Sequence, residues 1–292
     1  MSGASGLLGT AIGRALEANG AVVTRLVRAG SRSENQIGWG PGKPLTLTSS
    51  LDAVIHLAGE SVVGRWTTAK KACIRDSRVL GARTLAVAVA RMEMKPQVMV
   101  AASAIGYYGD RGDEVLNEES TSGTGFLAEV CREWEVAAGP VQQAGVRVVH
   151  IRTGVVLSKH GGALGQMLLP YRLGLGGRLG SGRQWWSWIH IDDVVGAVQH
   201  ALSHDAVRGP VNLVSPNPVT NAEFTVALGK ALSRPTILPA PAFALRLALG
   251  EMADEALLAS QRVQPERLLA SGYEFRFREL STALANILGR QE

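Results

Sequence analysis

Short β-branched apolar runs alternate with longer amphipathic stretches over the first 150 residues. Ala21–Arg28 (AVVTRLVR), Ala53–Leu57 (AVIHL), Gln97–Ala102 (QVMVAA) and Val146–Ile151 (VRVVHI) have the composition of strands. Between them, helical patterns run from about Thr67 to Met94, stopping before Pro96, and from about Gly125 to Ala144. This alternation predicts an α/β fold, a doubly wound parallel sheet with helices on both faces.

The rhythm changes after Gly154. Gly161–Gly182 is rich in glycine, with two short apolar stretches, and reads as a substrate-side insertion rather than core. Asp192–His204 reads as a helix capped by Asp192. Asn221–Leu232 reads as another, with Asn221 as N-cap and Phe224, Leu228 and Leu232 on one stripe. Pro235, Pro239 and Pro241 mark a boundary, and the tail from Ala242 is mostly helical in pattern. The expected division is 1–157 for the sheet domain, 158–237 for a substrate-side region interleaved with it, and 238–292 for a small C-terminal helical domain.

Composition narrows the function classes. The 292 residues are 46% hydrophobic and 19% charged, ordinary for a globular enzyme with a sizeable core. The net charge of +5 comes from scattered arginines without a run of five basic residues, so no nucleic-acid partner is expected. No apolar run reaches 18 residues and no secretory leader is evident, so neither a membrane partner nor export is expected. Cys73 and Cys131 form no CxxC pair, so no metal or redox motif is read, and low cysteine use fits a cytoplasmic location.

The chemistry starts at Gly3-Ala-Ser-Gly6-Leu-Leu-Gly9, a GxxGxxG turn opening the helical pattern Leu7, Ala11, Leu16. In a Rossmann-type fold, such glycines permit the tight turn, the backbone's approach to a pyrophosphate, and close helix packing. The segment Gly3, Ser5, Gly6, Leu7, Leu8 and Gly9 is thus the candidate dinucleotide site, with amides and the helix dipole holding phosphate. Only Met1 and Ser2 precede it. The first strand should lie in mid-sheet, so the expectation is a truncated or misassigned start, with unpaired backbone groups on both neighbours. At the end of the next strand, a carboxylate would select NAD and an arginine NADP. Arg25, Arg28 and Arg32 cluster there, with Glu34 the first acid beyond, so NADP (NADPH) is expected, with Arg28 reading the 2′-phosphate. The turn Leu57-Ala58-Gly59-Glu60 after the following strand can lie beneath the cofactor.

These segments, with Ser103, Tyr107-Tyr108-Gly109 and Trp188-Ile-His-Ile-Asp192-Asp193, resemble the extended short-chain dehydrogenase/reductase superfamily. More narrowly, the chain is similar to its atypical branch of epimerase family proteins, which includes nucleoside-diphosphate-sugar epimerases. That similarity rests on Arg65-Trp66, Asp76-Ser77-Arg78, Phe126-Leu-Ala-Glu129 through Trp134-Glu135, Arg152-Thr-Gly-Val-Val-Leu157 and Gly161-Gly-Ala. The resemblance implies that the glycine turn, Arg28, Leu57 and Ala58 touch the dinucleotide, with Arg78 and Arg152 as further cofactor neighbours. It also implies a small-molecule substrate such as a carbonyl compound or sugar nucleotide.

One departure is marked. Typical members use a Tyr and a Lys in YxxxK, one as acid/base and the other to lower its pKa. The matching segment here is Phe126-Leu-Ala-Glu-Val130, and no other YxxxK occurs. Ser103 remains, and Tyr107 is the replacement candidate for proton transfer, with Tyr108, Glu60, Glu129 and His190 as other candidates. Two functions stay open: an oxidoreductase or epimerase, or a regulator that binds NADP(H) without turnover. Trp185-Trp186-Ser-Trp188 reads either as an aromatic wall for a ligand or as core. His190 with Asp192-Asp193 reads as a helix cap and polar core pair, not a metal site.

Overall fold

A computed structural model describes residues 1–28, 35–48 and 50–289; Arg32 and Glu34 lie outside them. Helix α1 (Leu7–Ala18) follows the glycine turn and leads to β1 (Arg25–Val27), β2 (Gln36–Gly38) and β3 (Ala53–His56). Helix α2 (Thr68–Ala90) crosses to β4 (Val98–Ala104). Then β5 (Val115–Leu116), α3 (Phe126–Val136) and α4 (Gly139–Gln143) precede β6 (Arg147–Thr153). The chain continues through β7 (Val155–Leu157), α5 (Gly162–Arg172), β8 (Trp185–Trp186), β9 (Trp188–His190), α6 (Ile191–Ser203) and β10 (Gly209–Leu213). Last come β11 (Val219–Thr220), α7 (Asn221–Leu232), α8 (Ala242–Leu249), β12 (Arg262–Val263), α9 (Glu266–Ala270) and α10 (Leu280–Leu288).

The parallel ladder runs β10-β6-β4-β3, and β1 pairs β2 in parallel. Two residues join these sets. Ser2 bridges both Leu26 and His56, its N–H donates to the Ile55 carbonyl at 2.9 Å, and Leu26 N–H donates to the Met1 carbonyl at 2.8 Å. The expected unpaired groups in mid-sheet are therefore partly satisfied by Met1 and Ser2 alone. The strand period of two sorts the core. Val98 and Val100 pack with Ile12 of α1 and Val194 of α6, whereas Met99 and Ala101 pack with Leu85 of α2 and Val141 of α4.

His56 ends β3 with no exposure at all, its Nδ1 2.7 Å from the Ser2 hydroxyl and its Nε2 without a partner among the described residues. Burial pushes its pKa down to about 4. The folded state thus holds the neutral ring where the unfolded chain, near 6.5, is already protonated. Stability is retained above the unfolded value and lost as pH falls from about 6.5 to 4, by on the order of 3 kcal/mol. Urea unfolding across this window should show that loss, and His56→Gln should remove about one proton's worth of the slope.

Several expected boundaries move. The predicted strand Ala21–Arg28 keeps only Arg25–Val27 in the ladder, and the predicted helix 125–144 breaks into α3 and α4 around Ala137–Ala138. His190, not Asp192, caps α6: its Nδ1 accepts the Asp192 N–H at 3.0 Å. Thr220, not Asn221, caps α7, in a capping box with Glu223. Asn221 instead accepts the Leu179 N–H through its side chain. The glycine-rich 161–182 segment is not simply an insertion over the core. Its helix α5 buries Leu164, Leu168 and Tyr171 in a second core shared with Phe224 and Leu228 of α7 and with α10.

Candidate functional site

The candidate cofactor and catalytic residues gather around the carboxyl ends of the strands, where an open α/β sheet receives its ligands. Gly3 has φ of +68°, and a Cβ there would lie 2.7 Å from the Leu57 carbonyl carbon and 2.8 Å from Ala58 N. At Gly9 a Cβ would lie 2.1 Å from the Gly3 carbonyl oxygen. Helix α1 thus rests directly on its own turn, and that turn rests on the backbone of the next strand end. Gly6 differs: it is the N-cap, exposed, with φ of −76° and no side-chain cap. The first amides of α1 therefore end in a glycine-lined, uncapped N-terminus with Ser5 and Gly6 at the surface, and these residues fit a diphosphate.

The Leu57–Glu60 turn is gripped from α2. The Ser77 hydroxyl accepts the Glu60 N–H at 2.9 Å, and Arg78 donates to the Glu60 carbonyl at 2.9 Å. Ser77 and Arg78 of the Asp76-Ser77-Arg78 motif thus clamp this turn through both backbone polar groups of one residue, Glu60. The Glu60 carboxylate pairs with Lys70 at 2.8 Å, and the Lys70 hydrogen bond is the main cause of its lowered pKa. Arg28 also contributes to that lowering, so its charge lies within electrostatic reach of Glu60. Arg28 itself is exposed, with no hydrogen-bond or ion-pair partner among the described residues. Arg25 is occupied by Glu17.

Ser103 and Arg152 sit opposite one another on β4 and β6. Both turn to Glu135 of α3, which the sequence analysis named only within a family motif and gave no role. Arg152 binds it twice, Nε to Oε1 at 2.8 Å and Nη2 to Oε2 at 2.9 Å, and the Ser103 hydroxyl donates to Oε1 at 2.7 Å. The pair is buried, with side chains 3% and 13% exposed. Burial works to raise the Glu135 pKa, but the Arg152 hydrogen bonds and charge outweigh it, and the carboxylate stays ionised below the usual range. Arg152 also donates to the Tyr108 hydroxyl at 3.0 Å, and Tyr108 in turn donates to Asn212 at 2.7 Å. Burial lifts the Tyr108 pKa to about 12. Tyr107 is different. Its ring lies over the Arg152 guanidinium at 3.5 Å, and its hydroxyl has no hydrogen-bond partner among the described residues.

At the positions matching YxxxK, Phe126 and Val130 serve packing. Phe126 meets Trp66 edge-on at 5.2 Å and carries the Lys71 ammonium at 4.8 Å from its centroid. Glu255, from the C-terminal region, caps α3 by accepting the Phe126 N–H at 2.9 Å and the Leu127 N–H at 2.7 Å. Arg65 donates to the Leu247 carbonyl at 3.0 Å, and Lys71 pairs with Glu251. Arg65-Trp66 and Phe126-Leu127 are thus the seat of the C-terminal segment 247–255, which the sequence alone did not reveal.

The aromatic-wall reading fails for two of its three tryptophans. Trp188 and Trp186 are buried in the second core; only Trp185 is partly exposed, with Nε1 on Asp113 at 2.8 Å and Arg262 over its ring. Asp193 is spent on the backbone N–H groups of Arg276 and Phe277, and His190 stacks on Phe277 at 3.9 Å. Glu129 stays near the start of α3, away from the Glu135 pair.

Against known proteins, residues 1–213 match the family model described as the NAD dependent epimerase/dehydratase family, and residues 240–287 match a domain of unknown function, DUF1731. The chain is 45% identical over 289 residues to epimerase family protein Mb2239 of Mycobacterium bovis, covering 97% of this chain and 95% of that one. Its structure is similar to that of human epimerase family protein SDR39U1 with NADPH, with a TM-score of 0.91 and 36% identity, covering 99% and 98% of the two chains. MoeE5 in complex with UDP-glucuronic acid and NAD shares the fold at a TM-score of 0.78 and 19% identity, covering 99% and 96%. The uncapped glycine turn, the clamped second turn and these matches agree: the chain belongs to the NAD dependent epimerase/dehydratase family.

Proposed function

We propose that this chain is an NADP(H)-dependent oxidoreductase or epimerase-like protein acting on a small carbonyl compound or sugar nucleotide. The observation that carries this is the uncapped glycine turn before α1, together with an exposed guanidinium, Arg28, that has no carboxylate partner among the described residues. The human relative's structure with NADPH supports the cofactor, and the MoeE5 complex with a UDP-sugar supports the substrate class.

In this reading Gly3, Ser5, Gly6, Leu7, Leu8 and Gly9 hold the diphosphate, and Arg28 holds the extra phosphate through charge-assisted hydrogen bonds. The backbone of Leu57, Ala58, Gly59 and Glu60, kept in place by Ser77 and Arg78, forms the neighbouring wall. A bound nicotinamide supplies or accepts hydride. The chain's own part is to orient the substrate and move a proton at the carbonyl oxygen. Tyr107 is the candidate donor, because its hydroxyl is free where those of Ser103 and Tyr108 are committed. Arg152 acts from beneath that ring, as a positioning group rather than a direct phosphate ligand.

Titration with NADPH and NADH tests the cofactor. Wild type should prefer NADPH. Losing one charge-assisted contact in Arg28→Asp should cut that preference by about tenfold or more. An unchanged ratio would refute the role of Arg28.

A second reading, a dinucleotide-binding regulator with little turnover, is favoured by Phe126 and Val130 at the YxxxK positions and by Ser103 being tied to Glu135. Tight NADPH binding with no turnover across aldehydes, ketones and UDP-sugars would select it over the first.

A further inference from the structure

We propose that the face formed by the end of α5, the loop after it and helix α8 docks on an anionic lipid surface. Two stretches distant in sequence build this face. Residues 159–191 and 224–250 contain no Asp or Glu, yet carry four and three lysines or arginines respectively. The fold brings them together. Ala240 N–H donates to the Arg178 carbonyl at 2.9 Å, Gly180 N–H donates to the Ala240 carbonyl at 2.9 Å, and Arg234 Nε donates to the Arg172 carbonyl at 2.9 Å.

Around this junction large apolar side chains point to solvent. Leu173 and Leu175 are 65% and 60% exposed, Ile237 is 78%, and Phe243 and Leu247 are 73% and 76%. Phe243 and Leu247 are spaced i, i+4 and share one stripe of α8. The helix is held at both ends, by Ala242 against Gly180 and by Arg65 on the Leu247 carbonyl, yet buries none of its residues. An apolar helix pinned in place with its stripe outward presents a surface rather than completing a core.

Charge decides between occupants. Arg172, Arg178, Lys230 and Arg234 have no ion-pair partner among the described residues, while Arg246 pairs with Asp254 at 2.8 Å. A second copy docking through the same patch would set this cationic rim against its own equivalent. An anionic bilayer satisfies both parts, taking the leucines and Phe243 at the acyl boundary and the arginines among the headgroups. No helix among the described residues is long and apolar enough to cross a membrane, so the contact is with the surface. The expectation of no membrane partner rested on the lack of such a run; this face exists only after folding.

The test is sedimentation of the full chain with vesicles of phosphatidylcholine alone and of phosphatidylcholine mixed with phosphatidylglycerol. Binding should require the anionic lipid and weaken with salt. The double variant Phe243→Glu/Leu247→Glu should lose about tenfold or more in vesicle affinity. Arg178→Glu should weaken binding and flatten its salt dependence, and retained NADPH binding in both variants would show that they fold. No binding to anionic vesicles, or equal binding by wild type and the double variant, would overturn the proposal. So would a dimer in solution that Phe243→Glu/Leu247→Glu dissociates without any vesicle binding.

Discussion

Glu135→Leu should destabilise the protein by about 3–5 kcal/mol, because it strands the Arg152 guanidinium, 3% exposed, without its carboxylate. Arg152→Met should cost a similar amount by leaving Glu135 charged and buried. The double variant is expected to recover much of the loss, since two apolar side chains replace a desolvated pair. Urea unfolding of the four proteins gives the coupling directly. Additive losses would mean that the two groups do not act as a pair. The same variants probe the site, because Ser103, Tyr107 and Tyr108 all take their positions from this pair. If Arg152 seats Tyr107, Arg152→Lys should keep a cation near the ring while losing the two-point grip on Glu135. It should then stand between wild type and Arg152→Met in stability.

The second large effect separates the two roles of the glycine turn. Gly9→Ala places a methyl 2.1 Å from the Gly3 carbonyl oxygen, so α1 must move off its turn. The expected cost is about 1–3 kcal/mol of stability, with dinucleotide affinity falling because the phosphate-facing amides shift. Gly6→Ala should behave otherwise. Its Cβ meets only the Gly3 carbonyl oxygen, at 3.4 Å, and its φ of −76° suits alanine. Stability should hold or rise slightly. NADPH affinity should still drop by about tenfold or more, because the new methyl occupies the space a diphosphate needs. Calorimetric titration alongside urea unfolding reads both. A Gly6→Ala variant that binds NADPH as well as wild type would sink the placement of the phosphates at this turn.

The candidate cofactor side could be proposed from the linear chain because it is local. A GxxGxxG turn, a helix and the next strand end lie within 28 residues, and the proposed phosphate contacts are backbone amides, so the residue pattern alone suggests the chemistry. The alternation of strands and helices was legible for the same reason, since period two and period 3.6 are properties of consecutive residues. Cap positions slipped by a residue or two, at Asp192 and Asn221, because a side chain's choice of amide depends on the preceding turn.

What tertiary structure alone decided involves pairs far apart in sequence. Glu135 follows Cys131 by one helical turn on the buried side of α3, and Arg152 interrupts an apolar strand; in the sequence Arg152 was a cofactor neighbour by resemblance and Glu135 only part of a motif. Two opposite charges on inward faces were a readable hint, but only the packing of α3 on β6 shows that they meet. Phe126 followed the same logic: the sequence showed that its position could not transfer a proton, and the fold shows that it seats a segment more than a hundred residues later. Trp186 and Trp188 look alike as a motif next to Trp185 yet end in the core, since a strand's period sets which side each ring takes only once its partner strands are known. Composition and spacing determined the fold class and pointed to the glycine turn as the candidate phosphate site. Burial, which depends on the whole molecule, determined which polar groups were left free to act.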